Sequence, residues 1–194
     1  MLSKGLREMG LTPCDHDQCM YTRTTPSGGT IYVGTYVDDV IYYGTDNQAK
    51  KWFETELQNK ITVNFMGTVS WYLGIYYEWS RMADGRLSVH LSQEAMVHKL
   101  LNKEQLLDCN PVKTPHRSGY PIDRIPHDGV LPERKNVQVK WYQSILGGCA
   151  WLSTNSRPDI SAAVSLLTSH IQDQSERHVQ SAHYLLQYLK GSSN

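Results

Sequence analysis

Two adjacent aspartates, Asp38 and Asp39, are the residues of this sequence best suited to chemistry. They lie between two apolar, β-rich segments, Thr30 to Tyr36 and Val40 to Gly44, where aspartate is disfavoured and neighbouring like charges repel each other. A tight turn accounts for one aspartate but less well for two. A divalent cation resolves the conflict, because Mg²⁺, or Mn²⁺ in its place, binds carboxylate oxygens and offsets their repulsion. The alternative is an ordinary exposed hairpin turn.

The chemistry that such a pair performs is phosphoryl transfer with two metal ions. One ion activates the attacking hydroxyl and the other stabilises the leaving phosphate, and both need carboxylates on a rigid support. Consecutive strand residues point to opposite faces, so we expect one aspartate to bind metal more directly than the other. A metal-dependent nuclease could use the same two acids if Asp46, Glu56 or Glu78 lay nearby.

The composition is that of a globular protein and excludes several classes. The chain has 194 residues, 40% of them hydrophobic, with 19 basic and 19 acidic side chains, so wholesale disorder is excluded and a nucleic acid would need a local basic face. The sequence contains no run of about 18 apolar residues, so a membrane span is not predicted. The N-terminus lacks the apolar core of a secretion signal. Four irregularly spaced cysteines favour reduced thiols in an intracellular compartment.

Residues 1–91 are predicted to be rich in strands, because β-branched and aromatic residues alternate between turn signals. One helix interrupts them, capped by Thr45 or Asp46 and ending near Lys60, with apolar residues at helical spacing. The predicted strands are Met20–Thr24, Thr30–Tyr36, Val40–Gly44, Ser70–Trp79 and Arg86–Leu91, and Asp84-Gly85 is the turn between the last two.

The remaining residues are predicted to be mainly helical. A helix from Ser92 falls within 92–109, and a proline-rich linker follows over 110–139. Helical spacing then predicts three helices in 140–194, from Lys140 to Thr154, from Pro158, and from Glu176 to Lys190. The pair Gly147-Gly148 costs roughly 1 kcal/mol per glycine in a helix, so either the helix breaks there or another helix packs closely against it.

Tyr36-Val37-Asp38-Asp39 resembles the catalytic hairpin motif of reverse transcriptases, and its flanks resemble the copia type of long-terminal-repeat retrotransposon. The flanking resemblances keep the family's order over nearly the whole chain, which is far more specific than four residues. They comprise Gly10–Tyr21, Phe65–Ile75, Leu91-Ser92-Gln93, Asp108–Pro115, Ser156–Ile160 and Tyr188–Gly191.

This resemblance implies an RNA-directed DNA polymerase of α+β fold. Residues 1–91 would be a partial palm with an antiparallel sheet and a flanking helix. The mainly helical remainder would be a thumb-entry helix at 92–109, a linker at 110–139 and a thumb or connection region at 140–194. The partners would be an RNA template, a DNA primer and deoxynucleotides, in the cytoplasm, inside a virus-like particle, or in the nucleus.

The resemblance also assigns roles to individual residues. Asp38 would be the main metal ligand and Asp39 the second acid, and both would be catalytic, with Mg²⁺ as cofactor. The residues expected to contact the incoming nucleotide or the primer are Tyr36, Val37, Trp71, Tyr72, Leu73 and Gly74.

The sequence also departs from the family pattern. A further metal-binding aspartate and the fingers lie upstream in the family, so we expect a polyprotein fragment that is inactive without the missing polymerase half. Removal of the upstream palm strand should leave an open sheet edge beside Tyr32, Val33 and Tyr36, which favours aggregation or pairing with another chain. A transposon remnant that binds nucleic acid or protein without catalysis is the alternative.

Overall fold

A computed structural model describes residues 2–117, 119, 136–172 and 175–192. The chain forms two compact units, Met1–Val69 and Ser70–Asn194. Antiparallel strands and several helices confirm the predicted α+β class. A single sheet was predicted for residues 1–91, but the strands after residue 69 belong to the second unit and form a separate sheet. The assignment of 1–91 as a partial palm stays a prediction.

The first unit is a four-stranded antiparallel meander flanked by two helices. The strands Met20–Thr24 and Thr30–Tyr36 have the predicted bounds. A helix and a short strand that precede them were not predicted. The elements in chain order are α1 Leu2–Glu8, β1 Thr12–Pro13, β2 Met20–Thr24, β3 Thr30–Tyr36, β4 Asp39–Gly44 and α2 Asn47–Lys60, and the strand order is β1-β2-β3-β4.

Alternation along the strands gives this sheet one buried face. Ile31 and Val33 of β3 pack in one core with Phe53 and Leu57 of α2 and with Leu6 of α1. Residues between them along the strands, such as Tyr32, are exposed on the other face. Burial of one face against helices is the arrangement that stabilises a small antiparallel sheet.

Helix α2 begins as predicted, at the N-cap residue Asp46. The Asp46 Oδ1 accepts a hydrogen bond of 2.7 Å from the backbone N–H of Ala49, which satisfies one donor of the first helical turn. The backbone of Gly29 lies so close to Asp46 that a Cβ at residue 29 would collide with the carboxylate. The β2–β3 turn therefore requires glycine at this position for steric reasons.

The open edges of this sheet differ from the prediction. Strand β3 pairs with β2 on one side and with β4 on the other, so the expected open edge beside Tyr32, Val33 and Tyr36 was wrong. Two successive hairpins make the middle strand central, and the open edges among the described residues are those of β1 and β4.

The second unit combines a three-stranded antiparallel sheet with a helical bundle. The predicted strand Ser70–Trp79 is two strands, because Leu73 and Gly74 form a turn between them. The elements are β5 Trp71–Tyr72, β6 Ile75–Arg81, β7 Leu87–Ser92, α3 Glu94–Lys103, α4 Asn136–Asn155, a 3₁₀ turn Pro158–Ile160, α5 Ser161–Thr168 and α6 Glu176–Gly191.

The predicted helices of this unit are present and share one apolar core. Helix α4 begins at Asn136, so the predicted linker 110–139 was too long at its end, and positions 118 and 120–135 of that linker lie outside the described residues. Buried leucines, isoleucines and valines of α3, α4, α5 and α6 pack together, and the hydroxyl of buried Tyr142 donates to the carbonyl of Leu167 at 2.9 Å. Burial raises the pKa of the Cys149 thiol to about 12, so this cysteine is an apolar core residue. Across the described ranges, no helix combines the length and apolarity that a membrane span requires.

One end of the bundle holds three segments that the resemblance had singled out separately. The Arg157 guanidinium donates to both carboxylate oxygens of Asp159, at 2.9 and 2.7 Å, and to Ser192 Oγ at 2.6 Å. The Tyr188 hydroxyl also donates to Asp159, at 2.8 Å. Because Arg157 donates to it, the pKa of Asp159 is lowered, and the segment after α4 is tied to the end of α6.

The segment that follows α3 reaches the same end of α6. Lys190 Nζ donates to the carbonyl of Cys109 at 2.9 Å. A Cβ placed on Gly191 would lie 2.7 Å from the Cβ of Pro111, so only glycine allows this approach. Residues 108–115, 156–160 and 188–191 therefore lie close together in space.

The pair Gly147-Gly148 does not break α4, and the two glycines predict opposite mutational effects. A Cβ at Gly148 would lie 2.8 Å from Leu100 Cδ2 and 3.2 Å from Met96 Cε, whereas nothing lies within 4 Å of one at Gly147. We expect Gly147→Ala to raise the free energy of unfolding by up to about 1 kcal/mol, and Gly148→Ala to lower it by about 1 kcal/mol through overpacking against α3. Urea denaturation of both variants measures this, and equal stabilisation would contradict close packing at Gly148.

Candidate active site

The predicted catalytic residues lie on the β3–β4 hairpin, which has a turn of two residues. Tyr36 pairs with Asp39, so Val37 and Asp38 alone connect the strands. Val37 has φ of 53°, a left-handed conformation that costs a β-branched residue about 1–3 kcal/mol. The pairing of β3 with β4 over six residue pairs holds the turn in this conformation.

Both carboxylates of the hairpin are open to solvent. Asp38 and Asp39 are exposed, and neither forms an ion pair with the described residues. Asp39 lies directly opposite Tyr36, so their side chains share the sheet face that points away from α2. Tyr36 is 57% and Val37 79% exposed. The hairpin end therefore presents two uncompensated negative charges with accessible neighbours.

The donor set suits Mg²⁺ in type but is small. Carboxylate oxygens are the ligands that Mg²⁺ prefers. Within the part of the chain that the structure describes, no group of three or more His, Cys, Asp or Glu side chains is placed to hold a metal ion. Asp46, one of the acids considered for a nuclease, instead caps α2. Two carboxylates can hold one ion, but a two-metal reaction needs further ligands.

The inner side of β4 is fixed to α2 by a polar contact. The Tyr42 hydroxyl donates to Glu54 Oε1 at 2.6 Å, and its ring lies 4.9 Å from that of Phe53. Burial and the Glu54 carboxylate raise the pKa of Tyr42, so the phenol keeps its proton and stays a donor. This contact lies on the face of β4 opposite to the Asp39 side chain, and it limits the motion of the hairpin relative to α2.

The predicted primer-contacting residues form a second tight hairpin, in the second unit. Trp71 and Tyr72 make up β5, and Tyr72 pairs with Ile75, which leaves Leu73 and Gly74 as the turn. Their φ values are 49° and 78°, and two left-handed residues are typical of a type I′ turn. Leu73 is strained there as well, because the Cβ of any L-residue crowds the backbone in the left-handed conformation.

These two hairpins hold most of the unusual backbone of the protein. Among the described residues, non-glycine residues with positive φ are Val37, Leu73 and Gln105. Backbone strain of this kind collects at functional sites, where the surrounding structure maintains it. The strain thus falls on both segments to which the resemblance had assigned chemistry.

A surface of α4 next to the second hairpin was not predicted from the sequence. A Cβ on Gly74 would lie 4.0 Å from Trp151 Nε1, so Trp151 of α4 lies beside the turn, and it is 44% exposed. One helical turn away, Gly147 leaves the helix backbone open. Further along, Ser144 Oγ contacts Lys103 Nζ at 2.8 Å. No local sequence signal marks this surface, because a tryptophan at helical spacing predicts core packing.

Comparison with known proteins supports the resemblance. The family described as reverse transcriptase (RNA-dependent DNA polymerase) matches residues 1–118. The putative transposon Ty5-1 protein of Saccharomyces cerevisiae is 26% identical over 188 residues, which are 97% of this chain and 58% of that protein. No solved structure matches.

Two plant retrotransposon proteins are also similar. The retrovirus-related Pol polyprotein from transposon TNT 1-94 of Nicotiana tabacum is 23% identical over 177 residues, which are 91% of this chain and 13% of the polyprotein. That from transposon RE1 of Arabidopsis thaliana is 29% identical over 164 residues, which are 84% of this chain and 10% of the polyprotein. The chain thus corresponds to a segment of these relatives, and it belongs to the reverse transcriptase (RNA-dependent DNA polymerase) family of copia-type retrotransposons.

Proposed function

We propose that this chain forms the part of an RNA-directed DNA polymerase that carries the metal-binding hairpin. The observation that supports this most is the pair of exposed carboxylates at the end of one hairpin, Asp38 in the strained turn and Asp39 at the start of β4, in a chain of this family. Neither forms an ion pair with the described residues. The substrates would be deoxynucleotides, added to a DNA primer on an RNA template. An intracellular location accords with this function.

Asp38 and Asp39 would hold Mg²⁺, or Mn²⁺ in its place. The ion would supply activation of the primer hydroxyl and neutralisation of charge on the reacting phosphate. The chain's own contribution is to hold both carboxylates on one rigid hairpin end. Tyr36 shares a face with Asp39 and, with Val37, would contact the incoming nucleotide or the primer end.

The open edge of β4 is where further ligands of the site would join. Backbone groups on an unpaired edge accept another strand, and one paired with β4 would run beside Asp39. A carboxylate on that strand would complete the set that the two hairpin acids begin. This accords with the upstream palm strand that the resemblance implies and with the palm assignment of residues 1–91.

The second unit would hold the primer–template duplex. Trp71 to Gly74 would contact the primer, and the surface of α4 beside them would continue the contact. Gly147 lets a backbone approach α4, Trp151 offers an aromatic face, and Lys99 and Lys103 offer charge for phosphates. These assignments make 92–109 a thumb-entry helix and 140–194 a thumb or connection region.

Metal binding tests the hairpin directly. We expect Mn²⁺ to broaden the amide NMR signals of residues 36–40 first, because the ion binds between the carboxylates. Asp38→Asn should weaken this effect about tenfold, which corresponds to about 1.4 kcal/mol, and Asp39→Asn should weaken it less. Asp84→Asn, at the exposed β6–β7 turn, is the matched control and should leave the titration unchanged. Broadening that is insensitive to both hairpin variants would contradict the proposal.

Duplex binding tests the surface of α4. We expect an RNA–DNA hybrid to bind the chain with an affinity that falls as salt rises. Trp151→Ala should weaken binding by about 1 kcal/mol. Gly147→Leu should weaken it through steric exclusion, whereas the free energy of unfolding should not fall, because leucine favours the helix more than glycine does. Leu166→Ala, an exposed apolar residue of α5, is the control in fluorescence anisotropy titrations. Binding unaffected by both α4 variants would exclude this surface.

Primer extension tests whether the hairpin acids suffice. We expect no template-directed extension by the 194-residue chain alone in Mg²⁺, because two carboxylates supply too few ligands for two ions. Gel analysis of a labelled primer measures this. Robust extension that disappears in Asp38→Asn would show that the chain completes the metal site by itself, which would contradict the proposed need for a further strand.

A further inference from the structure

The hairpin formed by β6 and β7 presents an apolar face to solvent. Residues that oppose each other across the hairpin share a face, and the pairs Trp79–Val89 and Tyr77–Leu91 put four apolar side chains on one side. Leu87 continues this side toward the turn. Leu87 is 64%, Val89 43% and Leu91 38% exposed. The opposite face carries mainly serine, glutamate and histidine.

One open edge of this sheet belongs to β7. The directions of its backbone groups follow from two hydrogen bonds. The Tyr77 N–H donates to the carbonyl of Ser70 at 2.9 Å, and the Met82 N–H donates to the carbonyl of Arg86 at 2.8 Å. Hydrogen-bonded and non-hydrogen-bonded pairs alternate along an antiparallel ladder. The backbone N–H and C=O groups of Leu87, Val89 and Leu91 therefore point away from β6, and no strand in the described ranges pairs with them.

This edge lacks the features that normally protect one. The strand Leu87–Ser92 contains no proline and no lysine, arginine, aspartate or glutamate, whereas natural edge strands carry such residues to prevent pairing. Its outward-pointing backbone groups belong to the same residues as its apolar side chains. An added strand would gain hydrogen bonds and apolar contacts at the same positions.

The strand is complementary to itself. In an antiparallel pair with a two-fold axis at Val89, Leu87 of one copy opposes Leu91 of the other, Ser88 opposes His90, and Val89 opposes Val89. Apolar residues thus meet apolar residues on one face and polar residues meet on the other. A register shifted by one residue would place leucines against polar residues, which register specificity in sheets disfavours.

We propose that β7 pairs with β7 of a second copy of this chain, which joins the two three-stranded sheets into one sheet of six strands. Interfaces smaller than about 1,200 Å² are typical of weak association, and a pair of five-residue strands falls in that class. The dimer is therefore concentration-dependent. It is independent of the polymerase proposal, because no residue of the hairpin Asp38-Asp39 takes part.

Sedimentation over a wide range of protein concentration tests the proposal. We expect the average mass to rise from 22.1 kDa toward twice that value. Val89→Lys places like charges at the two-fold axis and should leave a monomer. Ser80→Lys, on the central strand β6, is the matched control and should dimerise as before. A chain that stays monomeric throughout, a dimer that survives Val89→Lys, or growth beyond two copies would each overturn the proposal.

Discussion

The left-handed conformation of Val37 is the constraint on which the candidate site depends, because it forms the turn that presents Asp38 next to Asp39, the first residue of β4. A valine avoids this conformation, and adjacent like charges repel each other. The neighbouring structure must supply the compensating free energy. Strand β3, paired on both sides, and strand β4, anchored by Tyr42 to Glu54, provide it. The hairpin end is consequently rigid and negatively charged, which is the state that suits a divalent cation.

The second unit depends on a different constraint, the close approach of helices and loops at two glycines. Gly148 lets α3 lie against α4, and Gly191 lets Pro111 lie against the end of α6. The Arg157–Asp159 pair then joins the segment after α4 to Tyr188 and Ser192. These contacts position α4 from both sides, and α4 carries Trp151 beside the Leu73-Gly74 turn. Packing in the bundle thereby fixes the surface proposed to meet the duplex.

The fold could be predicted where local signals decide it. Strands β2 and β3 and helix α2 follow from alternation, a Pro-Ser-Gly-Gly turn and the Asp46 cap. The β5–β6 turn was missed because Leu73 and Gly74 lack the Asn or Asp that usually marks a type I′ turn. Helix α1 and strand β1 were missed because they are short, and tertiary contacts such as the burial of Leu6 stabilise them.

The candidate site, like the fold, could be predicted only where local signals in the sequence decide it. Asp38 and Asp39 stand out in the sequence because their charge conflicts with the flanking strands. Their roles, and those of Tyr36, Val37 and the Trp71–Gly74 segment, stay predictions. Trp151 could not be singled out, because a tryptophan in a helix is buried by default. Its place beside Gly74 depends on how the helices pack, which no local pattern encodes.

The open edges of β4 and β7 differ in charge, and this difference determines what each could accept. A strand that carried a carboxylate and paired with β4 would run beside Asp39, so its approach would add to the repulsion unless a cation were present. Strand β7, Leu87–Ser92, contains no aspartate, glutamate, lysine or arginine, so a second copy of it would meet no such barrier. Cation binding and strand addition would therefore be coupled at β4 and independent at β7. Edges that differ in this way can keep their partners distinct.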